Sequence, residues 1–365
     1  MHRHLRFFLR LCSVVAFSMV LAITPALAQS RYKVRYLVSN GTIAADHIDS
    51  NLVDPWGLAF DPYGFAWVAS PASRAVMKYD GNGVSQPPLV RVPVSAYGNL
   101  RPFGIVFNGG YEGFITCNAN GLCRTSRFLM TTDIGSIHGW NPETDPAVAF
   151  YRFNSGSLPY LTGMALSGCC GRQLLYAVLP GQRGLPVFDN DANGNIKRSS
   201  MPVGAFYDPA LPADLALHNV QAIGGNIYAA YARFDGFRPP NAVPAAGAGR
   251  VTVFTPSGRL IRVISTGGAL NAPWGMAMAP AEFGDHSNKL LVANLGDGRI
   301  NVFDPTSGAH LGCLRDASGN PIVIDGLRAV QFGNGVANQS VNTLYFTAGP
   351  VNGAAGLYGR VDLIR

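Results

Sequence analysis

Short apolar segments recur along this chain, alternate with polar positions and are bounded by Gly, Pro and Asn. Residues 51–83 and 270–308 show the same order of parts most clearly. Each contains a Pro-Trp-Gly turn, an apolar stretch, an alternating stretch and a third stretch that ends in an Asp- and Gly-containing turn. Alternation of period two between such boundaries is typical of half-buried antiparallel strands. The pattern therefore predicts repeated sheet units built from short strands.

Weaker copies of this unit fill the rest of the chain. Their turn positions recur every 47 to 59 residues, about the length of a four-stranded blade with its loops. These positions are Gly57, Gly104, Gly163, Gln221, Gly275 and Gly326. One such unit cannot bury its own faces, so we expect the units to pack radially as an all-β, six-bladed β-propeller with blades of four antiparallel strands. The alternating segment 32–38 is predicted to pair beside the last unit and close the ring.

Residues 1–28 have the features of a secretory signal peptide: a basic start, an apolar run and an Ala-Leu-Ala cleavage site before Gln29. A retained membrane anchor is the alternative, but the run at 11–24 is shorter than the roughly 20 residues of a spanning helix. We therefore predict a signal peptide at 1–28 and a single β-propeller domain at 29–365. The mature chain is expected to be periplasmic or secreted and to lack a transmembrane segment.

Charge argues against a nucleic-acid partner. The formal net charge is +7, and three arginines lie in residues 1–28, so the mature chain carries 7 − 3 = +4. The remaining Lys and Arg residues are scattered, whereas a nucleic-acid groove needs a clustered basic face. Charged residues make up 13% of the chain, about half the usual share of roughly 25%. We expect a small polar ligand or a protein as the partner.

The cysteines predict one disulfide. Cys117 and Cys123 bracket an Asn-Gly tip, and a hairpin there would bring their side chains together in an oxidising compartment. The sequence does not settle the state of Cys169, Cys170 and Cys313. A cysteine zinc site is disfavoured, because Cys-x-x-Cys spacing and a nearby His pair are missing.

A resemblance to a known family supports the fold. The chain resembles exported bacterial proteins with NHL-like propeller repeats, a family without an established function, at 51–60, 139–142, 271–280, 291–304 and 342–349. The resemblance covers essentially the whole mature chain and implies a propeller. It implies no catalytic residues, because the shared motifs are turn and strand elements. The third and fourth repeats lack the Pro-aromatic-Gly signature, so their register is the least certain.

Polar residues before each axial strand are the candidate ligand-binding site. The loop before the strand nearest the axis opens on one face of a propeller, and convergent oxygens there bind an ion or a polar ligand. The candidates are Asp54, Arg101, Thr162, His218, Asn219, Asn271 and Asp325. Turn chemistry alone also predicts Asn and Asp here. Trp56 and Trp274 occupy equivalent places, and we interpret them as packing residues between blades.

A second candidate is a calcium loop. Asp189, Asp191 and Asn193 match the first half of such a loop, with alternating oxygen ligands around a glycine turn. The loop is incomplete, because Ser200 stands where a bidentate Glu belongs and Lys197 adds a repelling charge. We favour an ordinary turn, and we predict no cofactor other than this possible calcium.

Two functions remain open from the sequence. The chain lacks a nucleophile elbow, a P-loop, a dinucleotide fingerprint and a His-Glu-x-x-His motif, so no catalytic residue is assigned. We favour an exported, non-catalytic binding or scaffold propeller that presents a polar channel mouth. The alternative is a metal-dependent hydrolase or lactonase that uses the Asp and Asn residues of that mouth.

Overall fold

The computed structural model describes residues 29–93, 100–110, 113–154, 160–169, 171–237 and 241–364. The predicted signal peptide at 1–28 lies outside the described residues, as does Cys170.

Short strands make up almost all of the regular structure. The first half of the chain forms β1 (Arg31–Ser39), β2 (His47–Ile48), β3 (Leu58–Phe60), β4 (Ala66–Ser70), β5 (Ala75–Tyr79), β6 (Val90–Arg91), β7 (Pro102–Phe107), β8 (Ile115–Cys117), β9 (Cys123–Thr125), β10 (Phe128–Thr132), β11 (Ser136–Trp140) and β12 (Phe150–Asn154). The second half forms β13 (Met164–Cys169), β14 (Arg172–Ala177), β15 (Val187–Asn190), β16 (Ile196–Arg198), β17 (Leu215–Ile223), β18 (Asn226–Arg233), β19 (Gly249–Phe254), β20 (Leu260–Thr266), β21 (Pro273–Met278), β22 (Leu290–Asn294), β23 (Ile300–Phe303), β24 (His310–Cys313), β25 (Leu327–Phe332), β26 (Leu344–Ala348) and β27 (Leu357–Ile364).

These strands form six antiparallel blades. From the inner to the outer strand, the blades are β3-β4-β5-β6, β7-β10-β11-β12, β13-β14-β15-β16, β17-β18-β19-β20, β21-β22-β23-β24 and β25-β26-β27-β1. The two-residue strand β2 extends the last sheet by pairing parallel with β1. The first strands of successive blades contact one another, and β25 contacts β3, so the blades form a closed ring. The predicted six-bladed β-propeller with four-stranded blades is confirmed.

The N-terminal strand closes the ring. β1 pairs antiparallel with β27, from Arg31 opposite Ile364 to Ser39 opposite Leu357. The predicted outer-strand role of segment 32–38 is therefore confirmed. Tyr32 of this strand is fully buried and donates a hydrogen bond to the carbonyl of Phe283, 2.8 Å away. Closure by strand pairing covers the edge that β27 would otherwise expose.

Large aromatic residues fill the spaces between blades. Between the first and second blades, Trp67 stacks on Phe128 with ring centroids 4.1 Å apart and lies 4.6 Å from Trp140. Between the last and first blades, Tyr79 stacks on Tyr358 at 5.3 Å. Such residues bury a large apolar area in each interface, which holds neighbouring blades together.

Helix is nearly absent from the described residues, which contain one 3-10 turn at Gly284–His286. No helix in this part of the chain has the length and apolar character needed to cross a membrane.

Candidate functional site

A recurring hydrogen-bond relay defines equivalent positions around the axis. In the second blade, Gly104 N donates to Thr131 Oγ1, whose hydroxyl donates to the Thr162 carbonyl of the next blade. In the last blade, Ala329 N donates to Thr347 Oγ1, and this hydroxyl donates to the Trp56 carbonyl at 2.6 Å. Gly104 and Ala329 are therefore equivalent positions.

In other blades a direct contact replaces this relay. Gly57 N donates to the Phe103 carbonyl at 2.9 Å, and Asn219 Nδ2 donates to the Trp274 carbonyl at 2.9 Å. The residues that immediately precede these positions form one layer around the axis. We call this set the axial layer; it comprises Trp56, Phe103, Thr162, His218, Trp274 and Arg328.

The relay corrects the predicted register of two repeats. Gln221 is not a turn residue, because it lies inside the nine-residue strand β17. The equivalent position in that blade is Asn219. In the last blade the equivalent position is Ala329, three residues after the predicted Gly326.

A buried cation occupies the axial layer. Arg328 is 6% exposed, and its Nη2 lies 2.5 Å from Oδ1 of Asp54. The guanidinium stacks over Trp56 at 4.1 Å from the ring centroid and donates from Nη1 to the carbonyl of Pro55. Burial lowers the pKa of Arg328, and the negative charge of Asp54 opposes that shift. The guanidinium stays charged, because neutral pH lies far below the titration range of an arginine.

Aromatic rings surround this cation. The Trp56 ring meets Phe103 edge-on at 5.4 Å and Trp274 edge-on at 5.7 Å. The indole N–H of Trp56 donates to Oδ2 of Asp54 at 3.2 Å. Trp56 and Trp274 therefore pack between blades, as interpreted from the sequence, and they do so at the axis. Trp56 and Phe103 are only half-buried. We call the end of the blades at which the inner strands begin the mouth.

His218 holds the fourth position of the axial layer. Its Nδ1 lies 2.8 Å from the carbonyl oxygen of Pro273, and its ring meets Phe234 edge-on at 5.7 Å. The pKa of His218 is lowered to about 4, mainly by burial; the hydrogen bond to Pro273 opposes this shift and the positive charge of Arg328 adds to it. The imidazole is therefore neutral at pH 7.

The predicted ligand-binding residues all lie at the mouth end of their blades, but at different depths. Thr162 and His218 belong to the axial layer, and Asp54 contacts it through Arg328. Asn219 is buried behind it, where its side chain bridges to Trp274. The site assignments themselves remain predictions.

The other three predicted residues do not reach the layer in this way. Arg101 is exposed and its charge partner is Asp133, 3.8 Å away, rather than Asp54 or Asp325. Asp325 is exposed and accepts a hydrogen bond from Val351 N. Asn271 is half-buried, and its Oδ1 has no hydrogen-bond partner among the described residues.

Sequence reasoning missed Arg328, the residue that neutralises Asp54. One signal was available, because Arg328 is a charged residue between the apolar residues Leu327 and Ala329 of an inner strand. A charge at such a position is rarely buried without a partner.

The candidate calcium loop forms a compact turn. Asp189 is buried and pairs with Arg172 at 2.7 Å and Lys197 at 3.8 Å. Asp191 Oδ1 accepts the backbone N–H groups of Asn193 and Asn195, and the N–H of Asn195 is the main cause of a lowered pKa at Asp191. These oxygens thus already have partners within the protein. The described part of the chain contains no group of three or more His, Cys, Asp or Glu side chains arranged to hold a metal.

A covalent link fixes a small inserted hairpin. Strands β8 and β9 form a two-stranded sheet between β7 and β10, and a disulfide joins Cys117 to Cys123 with Cα atoms 4.0 Å apart. This is the pairing predicted from the sequence. The hairpin packs beside the third blade, where Ile115 N donates to the carbonyl of Gly194.

Six sheets arranged in a closed ring define a six-bladed β-propeller. The sequence is 33% identical over 341 residues to "Uncharacterized protein R648" of Acanthamoeba polyphaga mimivirus, covering 92% of this chain and 82% of the relative. It is 31% identical to "Uncharacterized protein L690" of the same virus, covering 84% and 80%. The chain belongs to the family of these mimivirus proteins. No family model matches the sequence.

Solved structures show the same architecture. The PQQ-bound form of aldose sugar dehydrogenase from Streptomyces coelicolor aligns with a TM-score of 0.53 and 15% identity. The alignment covers 93% of this chain and 99% of that enzyme. At this level of identity the likeness shows the fold alone.

Proposed function

We propose that this protein is a non-catalytic binding propeller that receives a small polar ligand at the mouth of its axis. The observation that carries the proposal is the Arg328–Asp54 pair held against Trp56. The charges of Arg328 and Asp54 cancel, so the pair adds no net charge to the mouth. A ligand there meets half-buried aromatic surface next to hydrogen-bonding groups in fixed positions. Ligand sites combine these two features, with apolar walls and a few oriented polar groups.

Unpaired polar atoms at the mouth support the same proposal. Within the described chain, Thr162 Oγ1 and Asn271 Oδ1 are buried and have no hydrogen-bond partner. A buried polar atom without a partner costs about 1 to 3 kcal/mol, so water or a ligand group is expected to supply one.

A thermal-shift screen of neutral polar compounds tests the proposal. We expect at least one compound to raise the melting temperature, because a ligand that binds only the folded state stabilises it by mass action. The variant Thr162→Val removes the unpaired hydroxyl and should reduce the ligand-induced shift. Thr306→Val, which removes an exposed hydroxyl outside the axial layer, serves as the control and should leave the shift intact. A screen in which no compound shifts the melting temperature contradicts the proposal.

The metal-dependent hydrolase or lactonase is the competing function. It requires the mouth carboxylates to converge on a divalent ion, yet Asp54 is held by Arg328 at 2.5 Å. A fixed positive charge at that distance repels a cation strongly in a poorly solvated site. Melting with and without EDTA distinguishes the two. Binding without metal predicts an unchanged melting temperature, whereas a chelator-dependent fall together with ester or lactone turnover supports the hydrolase.

We further propose that the protein is exported and NHL-like. The oxidised Cys117–Cys123 pair supports export, since disulfides persist in oxidising compartments. Expression with residues 1–28 in a bacterial host, followed by N-terminal sequencing of the periplasmic product, tests it. The expected first residue is Gln29, and an uncleaved product would contradict the proposal.

A further inference from the structure

The tautomer of His218 is fixed by its hydrogen bond. Nδ1 lies 2.8 Å from the Pro273 carbonyl oxygen, and a carbonyl only accepts hydrogen bonds. Nδ1 therefore carries the proton of the neutral ring. Nε2 is left with a lone pair, which makes it a hydrogen-bond acceptor.

Within the described part of the chain, this acceptor has no hydrogen-bond partner. Among the described residues, the hydrogen bond to Pro273 is the one that His218 makes. Burial keeps the pKa of His218 at about 4, so Nε2 stays unprotonated at neutral pH. His218 and Arg328 hold equivalent positions in the inner strands of the fourth and sixth blades, which places both in the axial layer.

The charges within the axial layer balance, because Arg328 is paired with Asp54 and His218 is neutral. On the rim, Arg101 is paired with Asp133, and the exposed carboxylate of Asp325 has no ion-pair partner among the described residues. A charged ligand gains no free countercharge within the layer, and an anion would have to displace Asp54 from Arg328. The site therefore suits an uncharged ligand.

We propose that His218 Nε2 is the hydrogen-bond acceptor that anchors a hydroxyl group of an uncharged, polyhydroxylated ligand, such as a sugar, in the axial layer. A hydroxyl donates to Nε2 and can accept in turn, for example from Thr162. The C–H face of a sugar ring packs on the half-buried rings of Trp56 and Phe103. This inference rests on the proposed function and names the chemical class of its ligand.

Titration calorimetry with three compounds that share one skeleton tests the ligand class. The probes are glucose, its carboxylate analogue glucuronate and its ammonium analogue glucosamine. We expect glucose to bind at least about tenfold more tightly than either charged analogue, a difference of about 1.4 kcal/mol, because each analogue brings an uncompensated charge into the layer. Equal or tighter binding of a charged analogue overturns the neutral-ligand assignment.

Two variants of His218 test the anchoring atom. His218→Asn keeps an N–H that donates to Pro273 but removes the acceptor at the Nε2 position, so glucose affinity should fall about tenfold with the melting temperature nearly unchanged. His218→Gln restores an acceptor at a similar distance from the backbone and should recover part of the affinity. Unchanged affinity in His218→Asn overturns the role of His218 and leaves the binding function standing.

If wild-type protein binds none of the three probes but binds other compounds in the screen, the sugar assignment fails alone. If it binds nothing, both proposals fail.

Discussion

At the scale of single residues, the axis depends on one charge pair. Arg328 is almost fully buried, whereas its partner Asp54 keeps 24% of its side chain exposed at the mouth. Asp54 also has a left-handed backbone with φ of 56°, a conformation that Asp tolerates better than most residues. Asp54 neutralises the buried Arg328. Arg328 in turn stabilises the strained backbone at Asp54, because it also donates a hydrogen bond to the carbonyl of Pro55.

Asp54→Asn should destabilise the protein by about 3 kcal/mol, the low end for breaking a buried ion pair, because Asp54 is partly exposed and solvent already weakens the pair. Urea denaturation measures the change. The double variant Asp54→Asn, Arg328→Met should recover most of the stability, since it removes both charges. Asp325→Asn alters an exposed carboxylate and should change stability by less than about 0.5 kcal/mol. A neutral effect of Asp54→Asn alone would contradict the pairing.

Stability should fall as the pH drops below 6.5. Burial lowers the pKa of both His138 and His218 from the ordinary 6.5 to about 4. Between these values the unfolded chain binds protons that the folded chain does not, so each histidine costs about 1.4 kcal/mol per pH unit. This contribution is fully present above pH 6.5 and is lost as the pH falls toward 4.

Urea midpoints at pH 7, 6, 5.5 and 5 measure this slope above the range in which most carboxylates titrate. His218→Asn should reduce the slope by about 1.4 kcal/mol per pH unit, and His138 and His286, whose pKa values burial also lowers, account for what remains. A slope unchanged by that substitution would show that His218 is not buried in neutral form.

At the scale of structural elements, the inner strands of neighbouring blades approach each other closely. This close approach limits which residue type can come directly after each residue of the axial layer. A Cβ atom added to Gly104 would lie 2.2 Å from the Thr162 carbonyl, and one added to Gly275 would lie 2.3 Å from the Arg328 carbonyl. Glycine is therefore required wherever the backbone of the next blade approaches so closely.

Gly104→Ala should destabilise the fold by about 2 to 3 kcal/mol, because the two atoms nearest the new methyl group belong to the relay between blades. Gly168→Ala is the matched control. Gly168 also lies in an inner strand, but it has no neighbour within 4 Å of an added Cβ. Thermal denaturation followed by circular dichroism compares the two. Equal melting temperatures would refute the close-approach argument.

The same geometry explains which elements the sequence predicts. The Pro-aromatic-Gly signature correctly marked Gly57, Gly104 and Gly275, because steric exclusion leaves a visible glycine. In the fourth blade the place belongs to Asn219, whose side chain itself makes the bond to the next blade. Because Asn stands there instead of Gly, no recurring glycine marks the position. The sequence pattern therefore predicts the turn at Gln221, two residues too late. The Asp54–Arg328 pair escaped prediction for a related reason, since 274 positions separate its partners and only the closed ring brings them together.

At the scale of the whole molecule, two features join the last blade to the first. β1 completes the last blade through its pairing with β27. On the opposite side from the mouth, Asn334 donates to the carbonyl of Gly64 at 3.0 Å, and Gly81 N donates to the carbonyl of Ala337 at 2.8 Å. These hydrogen bonds attach the loop around Asn334 and Ala337 of the last blade to the first blade.

Deletion of residues 29–39 should open the ring. The truncated chain loses the buried side chains of Tyr32, Leu37 and Val38 and exposes the edge of β27, so we expect a lower melting temperature and aggregation. Size-exclusion chromatography and thermal denaturation measure both effects. Ile48→Ser, which changes an exposed residue of β2, is the control and should behave like the wild type. A monomeric truncated protein of normal stability would contradict closure by β1.

The central claim is that the axial layer binds an uncharged polar ligand. A crystal structure of the protein soaked with the tightest-binding compound of the screen tests it most directly. We predict that the ligand lies at the mouth against Trp56 and Phe103, with one hydroxyl oxygen within about 3 Å of His218 Nε2 and the Arg328–Asp54 pair intact. A ligand bound away from the axial layer, or a metal ion on Asp54 with Arg328 displaced, would contradict it.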